Sequence, residues 1–336
     1  MSIGQSGQSY KGYAGLAKES NFGGGPAPAY FMDVVSDGFS GDNQHSYDDD
    51  TTRAQGRHRG EAGPFSDEGS VDYPVNPEGG IGLLLKSVFG AETLSTSDPD
   101  GDGTTEVGTH EFTPADDLPS LAVELALGDV ATARHVGVGH DAISLEHTSE
   151  ERLSGSSDFI AKEPDLSATK ASPTYSDLRN FWYQDAAITF AGTDRTGDVQ
   201  DVSVELARNL SPLFRNSRTA SKMEVGDREA TATVTLDFAT EEVWELFLGK
   251  TGATSPQETT AEVAFNATWT SPETIANTST NYSLAWDMPR CKIDTREASL
   301  DGNSLIAEDV ELTALVDQTA GYDVKATLKN GVTSAY

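Results

Sequence analysis

The chain has little cysteine, little lysine and no long apolar run. Among its 336 residues there is one cysteine, Cys291, so an internal disulfide is excluded. The N-terminal residues MSIGQSGQSYKGYAGL lack the apolar stretch of a signal peptide, and no segment has the length and apolarity of a membrane span. These absences predict a protein that is made in the cytoplasm and used without Sec export.

Positive charge is also scarce. The chain has 23 Lys and Arg residues against 54 Asp and Glu residues, a formal net charge of −31, and only ten residues are Lys. An acidic surface of this kind repels nucleic-acid phosphates and favours solubility. It is typical of proteins from salt-loving organisms, in which salt screens the self-repulsion. A calcium-rich or generally anionic secreted protein is the alternative.

The motifs of common active sites are missing. The sequence has no GxSxG, P-loop or HExxH motif and no GxGxxG between a strand and a helix. The spacing of His135, His140 and His147 matches no known metal-ligand set, and no thiolate lies nearby in the sequence. Cys291, in MPRCKID, has the context of a small core residue. We therefore predict no enzymatic activity, no catalytic residue and no cofactor.

An acidic segment after residue 93 resembles part of a calcium loop. Asp98, Asp100 and Asp102, followed by Gly103, match its first half. The position of the bidentate glutamate is occupied by Thr109, and Glu111 comes two residues late. The incomplete motif favours a solvated acidic turn, with bound calcium as the weaker alternative.

The strongest pattern lies between Gly226 and Gly249. Apolar and polar residues alternate from Thr231 to Phe238, which predicts a strand with one buried face. Thr240 is then a plausible helix N-cap, and the apolar residues after it share one helical face. Gly249 stands where a left-handed C-cap is expected.

A looser copy of this strand–helix unit occupies residues 69–90. Alternation ends at Asn76, a helix is expected to start at Pro77, and Gly90 ends it. The repeat predicts a duplicated, mainly β fold: two tandem β-sandwich or barrel domains, each with one short flanking α-helix. The predicted division is an N-terminal arm (1–30), a first β domain (31–162), a linker (163–184) and a second β domain (185–336).

Arginines concentrate in the two long loops that precede the strand–helix units. These loops hold six of the thirteen arginines, while the remaining sequence is acidic. A basic loop on an acidic body is suited to docking on another copy of that body, although chance clustering on a solvated loop would look the same. The predicted interface residues are Arg53, Arg57, Arg59, Arg208, Arg215, Arg218 and Lys222.

Four segments, taken in order, carry a family resemblance. They are Lys18 to Gly23, the run RGEAGPFSDEGSVDYPVNPEGGIGLLLKSVFG, the run HEFTPADDLPSLAVEL, and GVGHDAISLE. Together they resemble the major tail tube protein of long-tailed, siphovirus-like bacteriophages and archaeal viruses over most of residues 10–160. The second half is similar mainly in the order of its elements. The acidic composition departs from ordinary phage members and points to a haloarchaeal host.

The resemblance implies a structural virion protein without an active site. Tail tube domains are β-sandwiches with a flanking helix, and their sheets join edge to edge into rings that stack as a tube for viral DNA during ejection. It implies assembly in the host cytoplasm and contacts with tape measure, baseplate or tip, and terminator proteins, but no membrane and no specific DNA binding. The basic loops and N-terminal arm would contact neighbouring copies, and acidic residues would line the lumen.

Duplication bears on the number of chains in a ring. Single-domain tube proteins form hexameric rings, so three two-domain chains would supply the same six positions as a trimeric, pseudo-sixfold ring. Six chains, with one domain outside the tube wall, are the alternative. A different class, a tandem β-sandwich adhesion or binding protein or a capsid decoration protein, would share the strand pattern but gives no reason for the repeated basic loops.

Overall fold

Antiparallel strands make up most of the chain, which confirms the predicted mainly β fold with two short α-helices. The computed structural model describes residues 8–47, 56–57, 59–298 and 305–336. The first half contains β1 (Tyr13–Lys18), β2 (Tyr30–Met32), β3 (Ser36–Asp42), β4 (Ser46–Tyr47), β5 (Gly60–Glu61), β6 (Ser66–Pro74), α1 (Ile81–Phe89), β7 (Gly90–Ser97), β8 (Val107–Pro114), β9 (Leu121–Leu127), β10 (Ala131–Thr148), β11 (Ser154–Ala161) and β12 (Glu163–Asp165). The second half contains β13 (Ala186–Phe190), β14 (Thr193–Asp194), β15 (Val199–Ala207), β16 (Ser211–Leu213), β17 (Lys222–Glu224), β18 (Glu229–Asp237), α2 (Glu242–Leu248), β19 (Val263–Thr274), β20 (Asn281–Ala298), β21 (Ala307–Ala314) and β22 (Lys325–Asn330).

The two halves repeat one topology. Each begins with a 3-10 turn, Ser9–Lys11 or Tyr183–Asp185, and each contains one strand of 18 residues, β10 or β20. Strand pairing repeats as well, because β3–β6–β11–β10 in the first half matches β15–β18–β21–β20 in the second. The hairpin β7–β8 has no counterpart among the described elements of the second half.

Backbone hydrogen bonds join the halves into one eight-stranded antiparallel sheet. Residues 142–148 of β10 pair with residues 201–207 of β15, which gives the strand order β3–β6–β11–β10–β15–β18–β21–β20. A second connection runs across the other layer, where β8 pairs with β22. The long strands β10 and β20 take part in both layers, since their N-terminal parts pair with β9 and β19.

One apolar core lies between these layers and extends through both halves. Apolar residues that alternate along the strands, such as Leu145, Val204 and Val234, are fully buried in it. Phe89 of α1 packs edge-to-face on Trp286 of β20, with ring centroids 5.5 Å apart, so the first helix contacts the second half directly. The helix therefore completes a core that neither half builds alone.

The predicted N-terminal arm and linker contain packed segments. Residues 13–18 form β1, in which Ala14 and Leu16 are buried between β9 and β2. The sequence YAGLAK has no β-branched residue, so its strand signal was weak. In the predicted linker, β12 pairs with β10, and the amide of the buried Phe181 donates to the carbonyl of Val75. The division into two domains at these positions stays a prediction.

Two helix starts differ from the sequence interpretation. Helix α1 begins at Ile81 instead of Pro77, because Gly80 turns the chain with a φ of 95° that L-residues rarely adopt. Helix α2 begins after Glu241 instead of Thr240. Gly249 has the expected positive φ, at 128°.

Gly82 weakens α1 by propensity but is required by packing. A Cβ at this position would lie 2.1 Å from the ring of Tyr336, which packs on the helix and whose hydroxyl hydrogen-bonds Asn330 at 2.8 Å. A glycine inside a helix lowers the stability of the helix. At position 82 this cost is offset, because the absence of a Cβ lets the ring of Tyr336 pack directly against the helix.

The shared core predicts one cooperative unfolding transition. Leu145 lies on β10 between Gly155 of β11 and Val204 of β15, so Leu145→Ala removes contacts in both halves. We expect a loss of about 2–5 kcal/mol in the free energy of unfolding and a single, shifted peak in scanning calorimetry. Leu127→Ala, at a residue that is 57% exposed, is the control and should change little. Two peaks, of which Leu145→Ala moves only one, would contradict a common core.

Candidate functional site

The eight-stranded sheet has one face turned away from the core, and this face is acidic. Strands β3, β6, β11, β15, β18 and β21 contain neither Lys nor Arg. At the margin of the face, Lys292 of β20 is held by the carbonyl of Thr260 at 2.7 Å and the carboxylate of Glu262 at 3.4 Å. The alternating carboxylates of the face are Asp42, Glu68, Asp72, Glu146, Asp158, Asp201, Glu205, Glu229, Asp237, Glu297, Asp309 and Glu311.

Hydroxyl groups, rather than cations, solvate several of these carboxylates. Ser156 donates to Asp72 at 2.7 Å, Thr235 donates to Asp309 at 2.7 Å, and Thr295 donates to Glu311 at 2.6 Å. Each pair joins neighbouring strands of the sheet. These bonds stabilise the carboxylates without cancelling their charge, so the face keeps a negative potential.

Burial and the crowding of like charges together raise two pKa values on this face. Burial, together with the charges of Asp141 and Asp72, raises the pKa of Asp158. Burial, together with the charges of Asp158 and Glu229, raises the pKa of Glu205. Both groups lie at the junction of the halves, so ionisation there opposes folding to a small extent.

Two arms leave the sheet at equivalent positions. We define the first arm as residues 43–65, between β3 and β6, and the second arm as residues 208–228, between β15 and β18. Both turn at a non-glycine residue with positive φ, Gln44 at 41° and Asn209 at 50°, and both then form a two-stranded ribbon, β4–β5 or β16–β17. The arms therefore repeat the local backbone as well as the topology.

A glycine closes the base of each arm. A Cβ at Gly63 would lie 2.0 Å from the carbonyl oxygen of Gln44, and a Cβ at Gly226 would lie 2.4 Å from that of Asn209. Only glycine allows the returning strand to approach this closely.

The predicted interface residues do not all lie on the surface. Arg57 stacks over the ring of Tyr47, with 4.5 Å between its guanidinium carbon and the ring centroid, and Arg59, Arg215 and Lys222 are exposed on the arms. Arg53 falls outside the described residues. Arg218 is exposed but is used within the chain: it donates to the carbonyl of Gly63 at 3.1 Å and to Asn43 at 2.6 Å, and thus joins the two arms.

Arg208 is the exception, because it is only 2% exposed. Its Nη2 donates to the carbonyl of Ala115 at 2.6 Å, while Nε and Nη1 have no hydrogen-bond partner among the described residues. Burial lowers the pKa of its guanidinium. Arg208 is therefore a buried residue of the single chain, and its role at an interface stays a prediction. The alternation of β15 continues through it, with Leu206 and Leu210 buried on either side, and that signal was overlooked.

The acidic loop between β7 and β8 does gather its carboxylates. Asp98, Asp100, Asp102 and Glu106 each place a carboxylate oxygen within 4.8 Å of the others. Backbone amides of Gly101 and Gly103 donate to Asp98 at 2.7 and 2.9 Å and lower its pKa. Glu106 was missed because the calcium-loop pattern expects its glutamate later in the chain. The predicted solvated turn, with bound calcium as the weaker alternative, stays a prediction.

The three histidines considered as a metal set have protein partners instead. His135 Nδ1 lies 2.6 Å from Asp67, His140 Nδ1 lies 2.7 Å from Ser87, and His147 Nδ1 accepts from the indole of Trp269 at 3.3 Å. Complete burial lowers the pKa of His140 to about 3, which keeps it neutral. Cys291 is buried, and burial raises the pKa of its thiol to about 12, consistent with the predicted core role.

The sheet ends in two edges that lack a partner within the described residues. Strand β3 is hydrogen-bonded to β6 on one side only. Residues 295–298 of β20 are hydrogen-bonded to β21 on one side only. Unpaired edges of this kind expose rows of amide and carbonyl groups that can pair with another chain. No described helix has the length and apolarity needed to cross a membrane.

These features define a class of protein: a mainly β fold in which one topological unit is used twice and the shared sheet keeps two open edges. A family model described as phage tail tube protein matches residues 9–314. The match covers most of the chain, which therefore belongs to the phage tail tube protein family. This is a family of structural tail proteins and not of enzymes. A search of curated proteins found no match.

Charge crowding on the acidic face can be tested with Glu205→Gln. At pH 7 the substitution removes a repelled charge, so we expect the free energy of unfolding to rise by about 0.2–1 kcal/mol, the range for partly screened charge pairs on a sheet. Because the pKa of Glu205 is raised in the folded state, the gain should vanish below about pH 4, where the carboxyl is protonated in both states. The measurement is denaturant unfolding at both pH values.

Glu258→Gln is the matched control for this substitution, since it removes the same charge from an exposed loop outside the sheet. Equal effects of the two substitutions would show that net charge, and not the local sheet face, is responsible.

Proposed function

We propose that this chain is the subunit of the tail tube itself, and that its rings stack into the conduit through which viral DNA leaves the particle. The family match supports a structural tail component, and the two unpaired sheet edges support assembly by edge pairing. The acidic sheet face is suited to line the lumen, since it would repel DNA phosphates and let the genome slide without binding. Tape measure, baseplate or tip, and terminator proteins are the corresponding tail partners.

We further propose that three chains close into a pseudo-sixfold ring. The observation that carries this proposal is the junction between residues 142–148 and 201–207, where the first half pairs with the second through a continuous ladder. If one unit of the repeat follows another in this way inside the chain, the same geometry can continue from chain to chain. Three chains then supply six units of similar topology and leave no open edge.

The arms are suited to contacts between stacked rings. Arg57, Arg59, Arg215 and Lys222 are exposed on them, on a protein whose surface is otherwise strongly acidic. Complementary charge of this kind favours docking of an arm on the acidic body of an adjacent ring. Assembly in the host cytoplasm and a halophilic archaeal host belong to the same proposal, on the strength of the net charge of −31.

The acidic composition predicts that assembly requires salt. Each chain added to a ring brings a net charge of −31 close to its neighbours. In about 1 M salt the screening length is about 3 Å, against about 10 Å at 0.1 M, so molar KCl should favour rings and dilution should release single chains. Sedimentation velocity across a KCl series is the measurement. Rings that persist unchanged in low salt would argue against a halophilic origin.

Ring stoichiometry can be read from mass. The chain mass is 35.7 kDa, and negative-stain microscopy with mass measurement in molar salt should show rings of three chains with a central channel. Rings of six chains would favour one half of each chain outside the tube wall. A protein that stays monomeric and is also absent, by mass spectrometry, from purified virion tails would overturn the tube proposal and favour an adhesion or decoration protein.

A further inference from the structure

We propose that residues 295–298 of β20 pair with residues 39–42 of β3 in a second copy of this chain, and that Asp294 binds the turn that follows that strand. The inference rests on the proposed ring and adds its seam, register and binding residue. Each part follows from the seam that already exists inside the chain, between β10 and β15.

The internal seam is fixed by a bulge at Asp141. The pairing of β10 with β11 shifts between His140 and Ala142, which leaves Asp141 as the extra residue. Its carbonyl accepts from the amide of Arg208 at 2.7 Å, and its carboxylate accepts from the amide of Leu210 at 2.6 Å. One residue thus binds the start of the second arm from two sides.

The same bulge occurs in β20 at Asp294. The pairing of β20 with β21 shifts between Ile293 and Thr295, and the strand then continues to Ala298. Asp294 is exposed, and among the described residues its carboxylate accepts a bond from the hydroxyl of Thr313 on the neighbouring strand. Its position along β20 corresponds to that of Asp141 along β10. No described strand lies beside Asp294 in the place that β15 takes beside Asp141.

The complementary surface is β3 with the base of the first arm. Strand β3 pairs with β6 as β15 pairs with β18, so Ser40 corresponds to Glu205 and Gly38 to Ser203. The positive φ of Gln44 corresponds to that of Asn209. At the internal seam the amides of Arg208 and Leu210 donate to Asp141. The equivalent amides in the first arm are those of Asn43 and His45.

Exposure supports an absent partner at β3. At the internal seam, residues 202, 204 and 206 of β15 are buried. In β3 every residue except Phe39 is exposed, although its backbone has the same relation to the sheet. Two glycines and two aspartates keep this edge from pairing freely, so that a partner with a matching bulge is needed.

The register follows directly. At the internal seam Ala142 lies opposite Ala207, and Ser144 lies opposite Glu205. Transferred to the outer seam, Thr295 lies opposite Asp42 and Glu297 lies opposite Ser40. The amide of Arg208 donates to the carbonyl of Asp141, and the amide of Ser149 donates to the carbonyl of Gln200. Hydrogen-bonded and non-hydrogen-bonded pairs alternate along an antiparallel ladder, and counting between these two bonds makes Ser144 and Glu205 a non-hydrogen-bonded pair. In such pairs the opposing side chains are closest. Glu297 and Ser40 inherit this geometry, which suits a disulfide.

The test is a disulfide across the seam. The double variant Ser40→Cys/Glu297→Cys is assembled in molar KCl at high protein concentration, oxidised, and analysed on non-reducing gels. We expect a ladder that stops at a covalently closed species of three chains. Ser144→Cys/Glu205→Cys is the matched positive control, since it should form the same disulfide within one chain. Single-cysteine variants, with the buried Cys291 retained, should give no ladder.

Register is tested with Gly38→Cys/Glu297→Cys, which moves one thiol two residues along the same face. A Cβ at Gly38 would have no atom within 4 Å, so the residue tolerates the change. We expect at least about tenfold less cross-linked product than for Ser40→Cys, because diagonal partners lie about 7–8 Å apart. Equal or greater product from Gly38→Cys would overturn the register.

The role of Asp294 is tested separately with Asp294→Ala. Loss of a charge-assisted hydrogen bond to the partner should raise the protein concentration needed for ring formation about tenfold. The unfolding midpoint of the single chain should change little, because the hydrogen bond that Asp294 accepts from Thr313 lies on the exposed surface, and this distinguishes an interface role from a structural one. Unchanged assembly would remove Asp294 from the seam.

The two proposals fail differently. Rings that form without the Ser40–Glu297 cross-link would leave the tube proposal intact and overturn this seam. Failure of the chain to associate at all, in molar salt and at millimolar concentration, would overturn the ring and the seam together.

Discussion

The ladder of backbone hydrogen bonds between β10 and β15 is the constraint on which the rest of the structure depends. It turns two copies of a small β unit into one eight-stranded sheet, and it places all eight strands with a common core face and a common polar face. The core on one side can then be shared by both halves, with Phe89 packed on Trp286. The polar face on the other side can collect acidic residues without any of them entering the core.

The acidic face illustrates how a protein keeps charge on a surface that is crowded with it. Seryl and threonyl groups lie beside many of the carboxylates and donate to them across strands. A hydroxyl donor stabilises a carboxylate but leaves its negative charge in place, whereas Lys or Arg would stabilise the carboxylate and also neutralise its charge. The first arrangement keeps the face able to repel a polyanion, and burial and neighbouring carboxylates raise the pKa values of Asp158 and Glu205 there.

Much of this fold could be predicted from the sequence, because alternation over residues 231–238 and the helix before Gly249 are local signals. The duplication followed from the same signals. The sequence did not reveal which strands pair with each other. Ser40 and Glu297 lie on open edges because of the order of strands in the sheet, and no local sequence pattern encodes this order. The burial of Arg208 was not foreseen because its charge was weighed above its position in a buried alternation. Glu106 joined the acidic cluster through loop geometry, which the spacing of the motif did not describe.

The hairpin β7–β8 has a consequence for the whole assembly. It belongs to the first half but pairs with β22 of the second, so the two units of the repeat are not interchangeable. In a ring of three such chains, neighbouring positions would alternate between a unit that supplies a hairpin and a unit that receives it. The outer wall would then have true threefold symmetry while the channel keeps near-sixfold symmetry. A partner bound to the outside of such a tube would have three equivalent orientations, whereas DNA inside would meet an almost uniform bore.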